Sequence, residues 1–407
     1  MQKVLIFGLG LSGAAAAEWL LGEGAQVVAV DRRAEDLRKT ARVNALLERG
    51  LELFLESELP SYLGVDFAIL SPGFAREHPL VQSVDSLGIE VMGELEFALR
   101  RLPQRCVGIT GTNGKTTTTL LTEHVLRSCG FSVRALGNVG TSLSTYLSDA
   151  RSEDILVLEL SSFQLETLKT RSLLGAVILN ITPDHLDRYA SMQHYVDAKM
   201  NIALALKEEK NFFVSEQAYG YTKKGTLFDT SFSSCQNEQA AYHLASLFGV
   251  KDSDCLRSFS TFKKPPHRIE WVAEKNGSVY YNDSKATNVE AVMHAVNSLP
   301  GPLILLIGGL DKGAPYTPWI NCFLGKVKML IAFGEAASKM EMQLASAFPF
   351  FRVSTLAEAV ALAARKADEK TSVLLSPGCS SYDQFQNYEH RGDEFKRLVK
   401  EWREIGS

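Results

Sequence analysis

The chain has 407 residues, more than a single hydrophobic core serves, so two or three domains are expected. With 45% hydrophobic and 22% charged residues and a formal net charge of −4, it reads as a folded globular protein with no basic surface for nucleic acid or an anionic membrane. Six scattered cysteines without a CxxC pair suit a reducing compartment and argue against a disulfide framework or a cysteine zinc site. No apolar run reaches transmembrane length. Near the N-terminus VLIFGLG and AAAA imitate a signal core, but Glu18 breaks the run and no small-residue cleavage site follows. The expectation is a cytoplasmic monomer with small-molecule partners.

In chain order, KVLIFG (residues 3–8) predicts a buried strand, GLGLSG a glycine turn, and LSGAAAAEWLLG (11–22) a helix. QVVAVD (26–31) predicts a second strand ending at Asp31, and DFAILSPG (66–73) a later one that closes in a Ser-Pro-Gly turn. Strands alternating with helices predict a doubly wound, Rossmann-like α/β domain over residues 1–92. In the glycine turn Gly8 permits the tight bend, Gly10 lets a phosphate reach the backbone, and Gly13 allows close helix packing. Asp31 falls where a ribose-binding acid would sit. The alternative is a structural turn with no ligand. The pattern points to nucleotide phosphates and does not specify nicotinamide.

RCVGIT (105–110) restarts the pattern and leads through GTNGKT into the helix KTTTTLLTEHVLRSCG (115–130). The loop is a relative of the Walker A motif: Ile109 stands at the usual first glycine, with Gly108 one residue early, while Gly111, Gly114, Lys115 and Thr116 remain. Backbone amides and the helix start can cradle ATP phosphates, Lys115 can meet the outer ones, and Thr116 offers a hydroxyl to Mg²⁺. DILVLEL (154–160) and GAVILNI (175–181) predict buried parallel strands. They place Glu159 at one strand end, with Asp184, His185 and Asp187 just past the other, on the side where parallel sheets collect ligands. Singly, Glu159 could be a helix cap and His185 a turn residue; together they indicate a metal and catalysis. A helix with Tyr195, Ile202 and Leu206 on its apolar face follows, and residues 208–238 carry little periodic signal. The expected central domain, a P-loop ATPase-like parallel sheet, spans residues 93–264.

FKKPPHR (262–268) changes texture and predicts a hinge. RIEWVAEKNGSVYYND (268–283) predicts a hairpin about Asn276-Gly277. LILLIGG, VKMLIAFG, FFRVS and SVLLSPG predict further strands of a third, Rossmann-like α/β domain over residues 265–407.

Ten motifs in order carry a family resemblance: GLGLSG, SPGFAREHP, GITGTNGKTT, LGNVG, ELSSFQLE, NITPDHLDRY, PPHRIE, YNDSKATN, LIGGLDKG and LLSPGCSSYDQFQNYEHRGDEF. The chain resembles, nearly end to end, the Mur ligases, ATP-dependent amide ligases of peptidoglycan precursor synthesis. ELSSFQLE and NDSKATN resemble the member that adds D-glutamate to UDP-N-acetylmuramoyl-L-alanine through an acyl phosphate, releasing ADP and phosphate. On this resemblance the first glycine loop holds a UDP-sugar and the second holds ATP, which accounts for two such loops in one chain.

The resemblance implies site residues at matched positions only. Gly111, Thr112, Asn113, Gly114, Lys115, Thr116 and Thr117 would serve the ATP phosphates, and Arg268 and Asp283 the nucleoside. Thr116 and Glu159 would hold a first Mg²⁺, and His185 a second, with Asn138 close to metal and phosphate. Lys199 matches a lysine that the family modifies with CO₂, because a carbamate supplies the anionic oxygens that a hard cation prefers. Read by itself, Lys199 is a solvated helix lysine. Gly10, Leu11, Ser12, Asp31, Arg32, Arg33, Gly73 and Asn138 match the UDP-sugar end, and Lys285, Thr287, Lys312, Ser381 and Tyr388 surround the D-glutamate.

Two departures from the family pattern stand out. QNEQAAYHLA (236–245) puts Ala240 where an adenine-contacting asparagine is expected, in a shortened central domain, and Tyr388 stands where phenylalanine is common. A nicotinamide-dependent oxidoreductase would leave GTNGKT, Glu159 and His185 without a role. A folylpolyglutamate-type ligase would lack the N-terminal unit with SPGFAREHP.

Overall fold

The computed structural model describes residues 1–59, 64–186 and 188–402, so Asp187 lies outside the described residues. The chain divides into two compact units, Met1–Ile181 with Gln193–Phe262, and Thr182–Met192 with the chain from Lys263 onward. The first unit contains two sheets and the second contains one.

The first sheet comprises β1 (Lys3–Phe7), β2 (Gln26–Val30), β3 (Glu52–Phe54), β4 (Phe67–Leu70) and β5 (Glu90–Gly93). All pairs are parallel, in the order β3-β2-β1-β4-β5. VLIF of β1 is wholly buried because helices cover both faces, which is why the strand shows no polar alternation. Chain order reverses beside β1, so the crevice for a ligand opens at the carboxyl end of β1, where the first glycine turn lies. β3 and β5, which the sequence reading did not mark, complete the edges.

The second sheet runs β11-β10-β9-β6-β8-β7 and is also parallel throughout. Its strands are β6 (Arg105–Thr110), β7 (Val133–Gly137), β8 (Ile155–Glu159), β9 (Leu173–Ile178), β10 (Phe212–Val214) and β11 (Thr226–Leu227). The region of weak periodicity thus contains two short strands, β10 and the edge strand β11, too brief to show a pattern. Gly108 belongs to β6 rather than to the phosphate loop: a Cβ there would lie 2.8 Å from Leu173 and 3.2 Å from both Leu160 and Ile202.

The two sheets of this unit are joined by buried carboxylates of the helix Glu94–Leu99. Glu96 accepts hydrogen bonds from the backbone amides of Lys169 and Thr170, both at 2.9 Å, and Glu94 accepts one from the Ser144 amide at 2.7 Å. A Cβ on Gly93 would stand 2.0 Å from the Thr167 hydroxyl, so only glycine allows this approach.

The third sheet runs β12-β13-β17-β14-β15-β16. Its strands are β12 (Glu270–Lys275), β13 (Ser278–Asn282), β14 (Leu303–Gly308), β15 (Val327–Phe333), β16 (Phe350–Arg352) and β17 (Ser372–Gly378). The β12–β13 pair is the expected antiparallel hairpin, turned by Asn276 and Gly277 at φ 51° and 73°. The other pairs are parallel, and β14 and β17 form the buried centre.

Candidate active site

In the first glycine turn, Gly8 has φ 85° and its carbonyl accepts a 2.7 Å hydrogen bond from the Ser71 hydroxyl. A Cβ on Gly13 would lie 2.0 Å from the Gly8 carbonyl, so the helix Leu11–Gly22 can start this close only with glycine there. A Cβ on Gly10 would meet nothing within 4 Å. Internal packing therefore does not require that glycine, whereas approach by a ligand would. Asp31 is buried, and both its oxygens bind the chain itself: the Leu9 amide at 2.9 Å and the Arg33 amide at 2.8 Å. It braces the turn. Leu11, Arg32, Arg33 and Gly73 are exposed near the turn and Ser12 is half-buried.

The second loop is braced by a neutral side chain. The Asn180 carbonyl accepts from the Thr112 amide at 2.9 Å, and its side-chain oxygen accepts from the Asn113 amide at 2.7 Å. Asn180 was not singled out in the sequence; it lies within NITPDHLDRY, and no spacing rule marks it. Gly111 and Gly114 take φ 150° and 84°. A Cβ on Gly114 would come within 2.7 Å of the Asn237 side-chain oxygen. The amides left for phosphates are those of the first turn of the helix Lys115–Ser128, which an α-helix cannot satisfy internally. Lys115 donates to the Gly111 and Thr112 carbonyls at 2.8 and 2.7 Å, curled over its own loop. Thr116 is buried at the helix start and Thr117 is half-buried beside it.

Glu159 ends β8 and is 1% exposed. One of its oxygens accepts a 2.7 Å hydrogen bond from the Asn138 side chain. The other, Oε2, is buried and without a hydrogen-bond partner among the described residues. Such a group is costly unless a cation or donor meets it, so this carboxylate fits a metal site. Among the described residues no three His, Cys, Asp or Glu gather into a protein-only cage.

Lys199 corrects the solvated-lysine reading. It lies in the helix Met192–Leu204 but is 1% exposed, with Nζ donating to the Gly111 carbonyl at 2.9 Å and standing 4.5 Å from the Tyr195 ring centroid. Tyr195 in turn contacts the Thr112 hydroxyl at 3.1 Å. A lysine four residues after a buried tyrosine shares its helix face, and that face points into the protein. Ala240, in place of the expected asparagine, is fully buried in the core beneath the phosphate-loop helix.

The remaining candidates lie in the second unit. His185 adopts the left-handed φ of 55°, which turns the chain sharply after Asp184. Asp184 forms a 2.7 Å ion pair with Lys312, both largely buried, and accepts from the His185 amide at 3.0 Å. Lys285 places its ammonium 3.6 Å from the centroid of the Tyr388 ring. Thr287 is half-buried and Ser381 buried. Lys285 and Thr287 follow β13, Lys312 follows β14, and Ser381 and Tyr388 follow β17, three neighbouring strands of the sheet.

Asp283, at the end of β13, accepts from the Ser376 hydroxyl at 2.9 Å and the Ile269 amide at 3.2 Å. Burial pushes its carboxyl up to about 7, with the Ser376 hydrogen bond and the charge of Arg268 opposing.

Two parallel sheets ending in glycine turns, a buried carboxylate oxygen beside one of them without a partner among the described residues, and a third sheet with lysines on its loops fit an ATP-using α/β ligase architecture. Sequence comparison agrees in every domain. Residues 2–93 match the Mur ligase MurD-like N-terminal domain, 109–270 the Mur ligase middle domain, and 267–379 the Mur ligase, glutamate ligase domain. The chain is 40% identical to the UDP-N-acetylmuramoylalanine–D-glutamate ligase of Protochlamydia amoebophila over 98% of each chain. It is 35% identical to the enzyme of the same name from Caldanaerobacter subterraneus over 99% of each. The chain belongs to the Mur ligase family. In fold it is similar to UDP-N-acetylmuramate-alanine ligase MurC of Thermotoga maritima, with TM-score 0.59 at 14% identity over 98% of this chain and 99% of that one. It is likewise similar to the MurF ligase of the same organism, solved with ADP, with TM-score 0.57 at 15% identity over 92% and 95%.

Proposed function

We infer that this chain is an ATP-dependent ligase that joins D-glutamate to UDP-N-acetylmuramoyl-L-alanine, a step of peptidoglycan precursor synthesis. The observation that carries the reading is full-length identity to ligases of that name, on a chain whose glycine loop, Lys115 and Glu159 keep the chemistry of phosphoryl transfer. No helix among the described residues is long and apolar enough to cross a membrane, and we place the reaction in the cytoplasm, with the enzyme acting as a monomer.

A carboxylate does not form an amide in water at a useful rate, because its oxygen is a poor leaving group. In the proposed reaction a carboxylate oxygen of the L-alanyl group attacks the γ-phosphorus of ATP, and the bond to the ADP oxygen breaks. The amine of D-glutamate then attacks the acyl carbon of the acyl phosphate and loses a proton. Collapse of the tetrahedral oxyanion expels phosphate and leaves the amide. Both transfers depend on position and charge neutralisation.

Gly10, Leu11, Ser12, Arg32, Arg33, Gly73 and Asn138 hold the UDP-sugar, on a turn braced by Asp31. The loop from Gly111 to Thr117 holds the ATP phosphates, and Lys115 exchanges its own loop carbonyls for phosphate oxygens. Thr116 and Glu159 would hold one Mg²⁺, His185 would be a ligand of a second, and Lys199 would carry the carbamate. Bound there, the ion would neutralise phosphate charge. Arg268 and Asp283 hold the nucleoside. Lys285, Thr287, Lys312, Ser381 and Tyr388 hold D-glutamate, with two ammonium groups for its two carboxylates.

The test is phosphate release with UDP-N-acetylmuramoyl-L-alanine, ATP and Mg²⁺, comparing D-glutamate, L-glutamate and meso-diaminopimelate. Release with D-glutamate alone is expected. Equal release with all three, or none with D-glutamate, overturns the assignment.

A further inference from the structure

Arg391 is fully buried in the helix Tyr388–Glu401, yet among the described residues its guanidinium binds no carboxylate. Nη2 donates to the Ser284 carbonyl at 2.9 Å and to the Cys379 carbonyl at 3.2 Å. Nη1 donates to the Cys379 and Ser380 carbonyls, both at 3.2 Å, and Nε to the Ser284 hydroxyl at 3.0 Å. That hydroxyl donates in turn to the Tyr388 carbonyl at 2.8 Å. Burial lowers the guanidinium to about 10, which leaves it charged at neutral pH. A buried charge met only by neutral oxygens is expensive for the fold and wants a reason beyond stability.

The acceptors supply one. Ser284 immediately precedes Lys285, and Ser380 immediately precedes Ser381. Ser380 also exchanges two backbone hydrogen bonds with Leu310, at 2.9 and 3.1 Å, two residues before Lys312. Gly309 sits against the same guanidinium: a Cβ there would meet Nη1 at 3.1 Å and the Ser380 carbonyl at 2.2 Å. Tyr388 lies one helical turn before Arg391. Four of the five residues read as D-glutamate contacts are thus tied to this fork through a chain neighbour that it binds or through one further hydrogen-bonded bridge.

We propose that Arg391 is a positioning residue for the amino-acid substrate: its planar fork sets the spacing of the loops that present Lys285, Lys312 and Ser381. The proposal rests on the D-glutamate reading above. Asp283, the nucleoside contact, is braced separately by Ser376 and the Ile269 amide. Loss of the fork therefore weakens amino-acid binding far more than ATP binding.

The experiment measures KM for D-glutamate and for ATP, with kcat, in the full-length enzyme and in Arg391→Met, Arg391→Lys and Ser284→Ala, alongside thermal melting. Arg391→Met leaves several carbonyls without donors, and its D-glutamate KM is expected to rise about tenfold or more with ATP KM changed less than about twofold. Arg391→Lys keeps the charge but not the fork and is expected to behave like the methionine variant. Ser284→Ala is expected to raise D-glutamate KM by about threefold. Should Arg391→Met lack a cooperative melt, the Ser284→Ala ratio decides.

An unchanged D-glutamate KM, an equal rise for both substrates, or full recovery with lysine overturns the proposal. Wild-type inactivity with D-glutamate fails the functional reading instead. Amide hydrogen exchange then decides the positioning claim without substrate: faster exchange at residues 284–288 and 379–382 in Arg391→Met supports it, and no change overturns it.

Discussion

The two glycine turns of the first unit are built alike and braced by different means. Each follows a buried parallel strand, opens a helix, and has a buried acid at a neighbouring strand end: Asp31 after β2, and Glu159 at the end of β8. In sequence both acids stand at the carboxyl ends of apolar strands. In the fold Asp31 spends both oxygens on backbone amides of its own turn, whereas Glu159 keeps Oε2 without a partner among the described residues and leaves the bracing of the phosphate loop to Asn180. A carboxylate saturated by amides is scaffold; one buried with an oxygen to spare is prepared for a cation.

The largest effect expected from this contrast is on turnover. Glu159→Gln should lower phosphate release on the order of 10²- to 10³-fold, because a neutral amide cannot replace anionic charge near the phosphates. Asp31→Asn should leave kcat unchanged and raise KM for the UDP-sugar. Equal loss of kcat in the two variants would erase the distinction between them.

Next in size is Gly13→Ala. Its Cβ would sit 2.0 Å from a backbone carbonyl, which cannot rotate away. A loss of about 3 kcal/mol in urea unfolding is expected. Gly10→Ala, with open space around its Cβ, should cost under about 1 kcal/mol while weakening UDP-sugar binding. A large stability loss at Gly10 would show that the turn needs that glycine for itself.

A pH-dependent effect lies in the second unit, where Asp283 is a third strand-end acid. Its carboxyl is held near 7 by burial against an ordinary 3.8. Between those values the folded protein keeps a proton that the unfolded chain has lost, so this group makes stability fall as pH rises, by up to about 1.4 kcal/mol per pH unit. The stability difference between wild type and Asp283→Asn, followed from pH 4 to pH 7, should fall with that sign. A difference that is constant or rises with pH would mean that the acid is ionised in the fold.

Much of the architecture was legible because it depends on local pattern. Continuous apolar runs such as VLIF, ILVLE and LILLI mark strands buried on both faces, and glycines after them mark the turns. The short strands β3, β10 and β11 were not legible, since two or three residues show no period. Asp187, read together with His185, lies outside the described residues.

The sequence by itself determined three parallel-rich sheets, the two phosphate turns, and which residue types stand at the strand ends. Those follow from hydrophobic runs, from glycine's freedom at positive φ, and from the rule that helices cover parallel strands. Only the tertiary structure decided what each polar group does. It buried Lys199 against the Gly111 carbonyl, paired Lys312 with Asp184, and gave Asp31 two partners where Glu159 has one. It also placed a charged Arg391 among neutral carbonyls. Hydrogen-bond partners lie far apart in the chain, such as Asn180 with Asn113 or Arg391 with Ser284, and no local pattern encodes which donor reaches which acceptor.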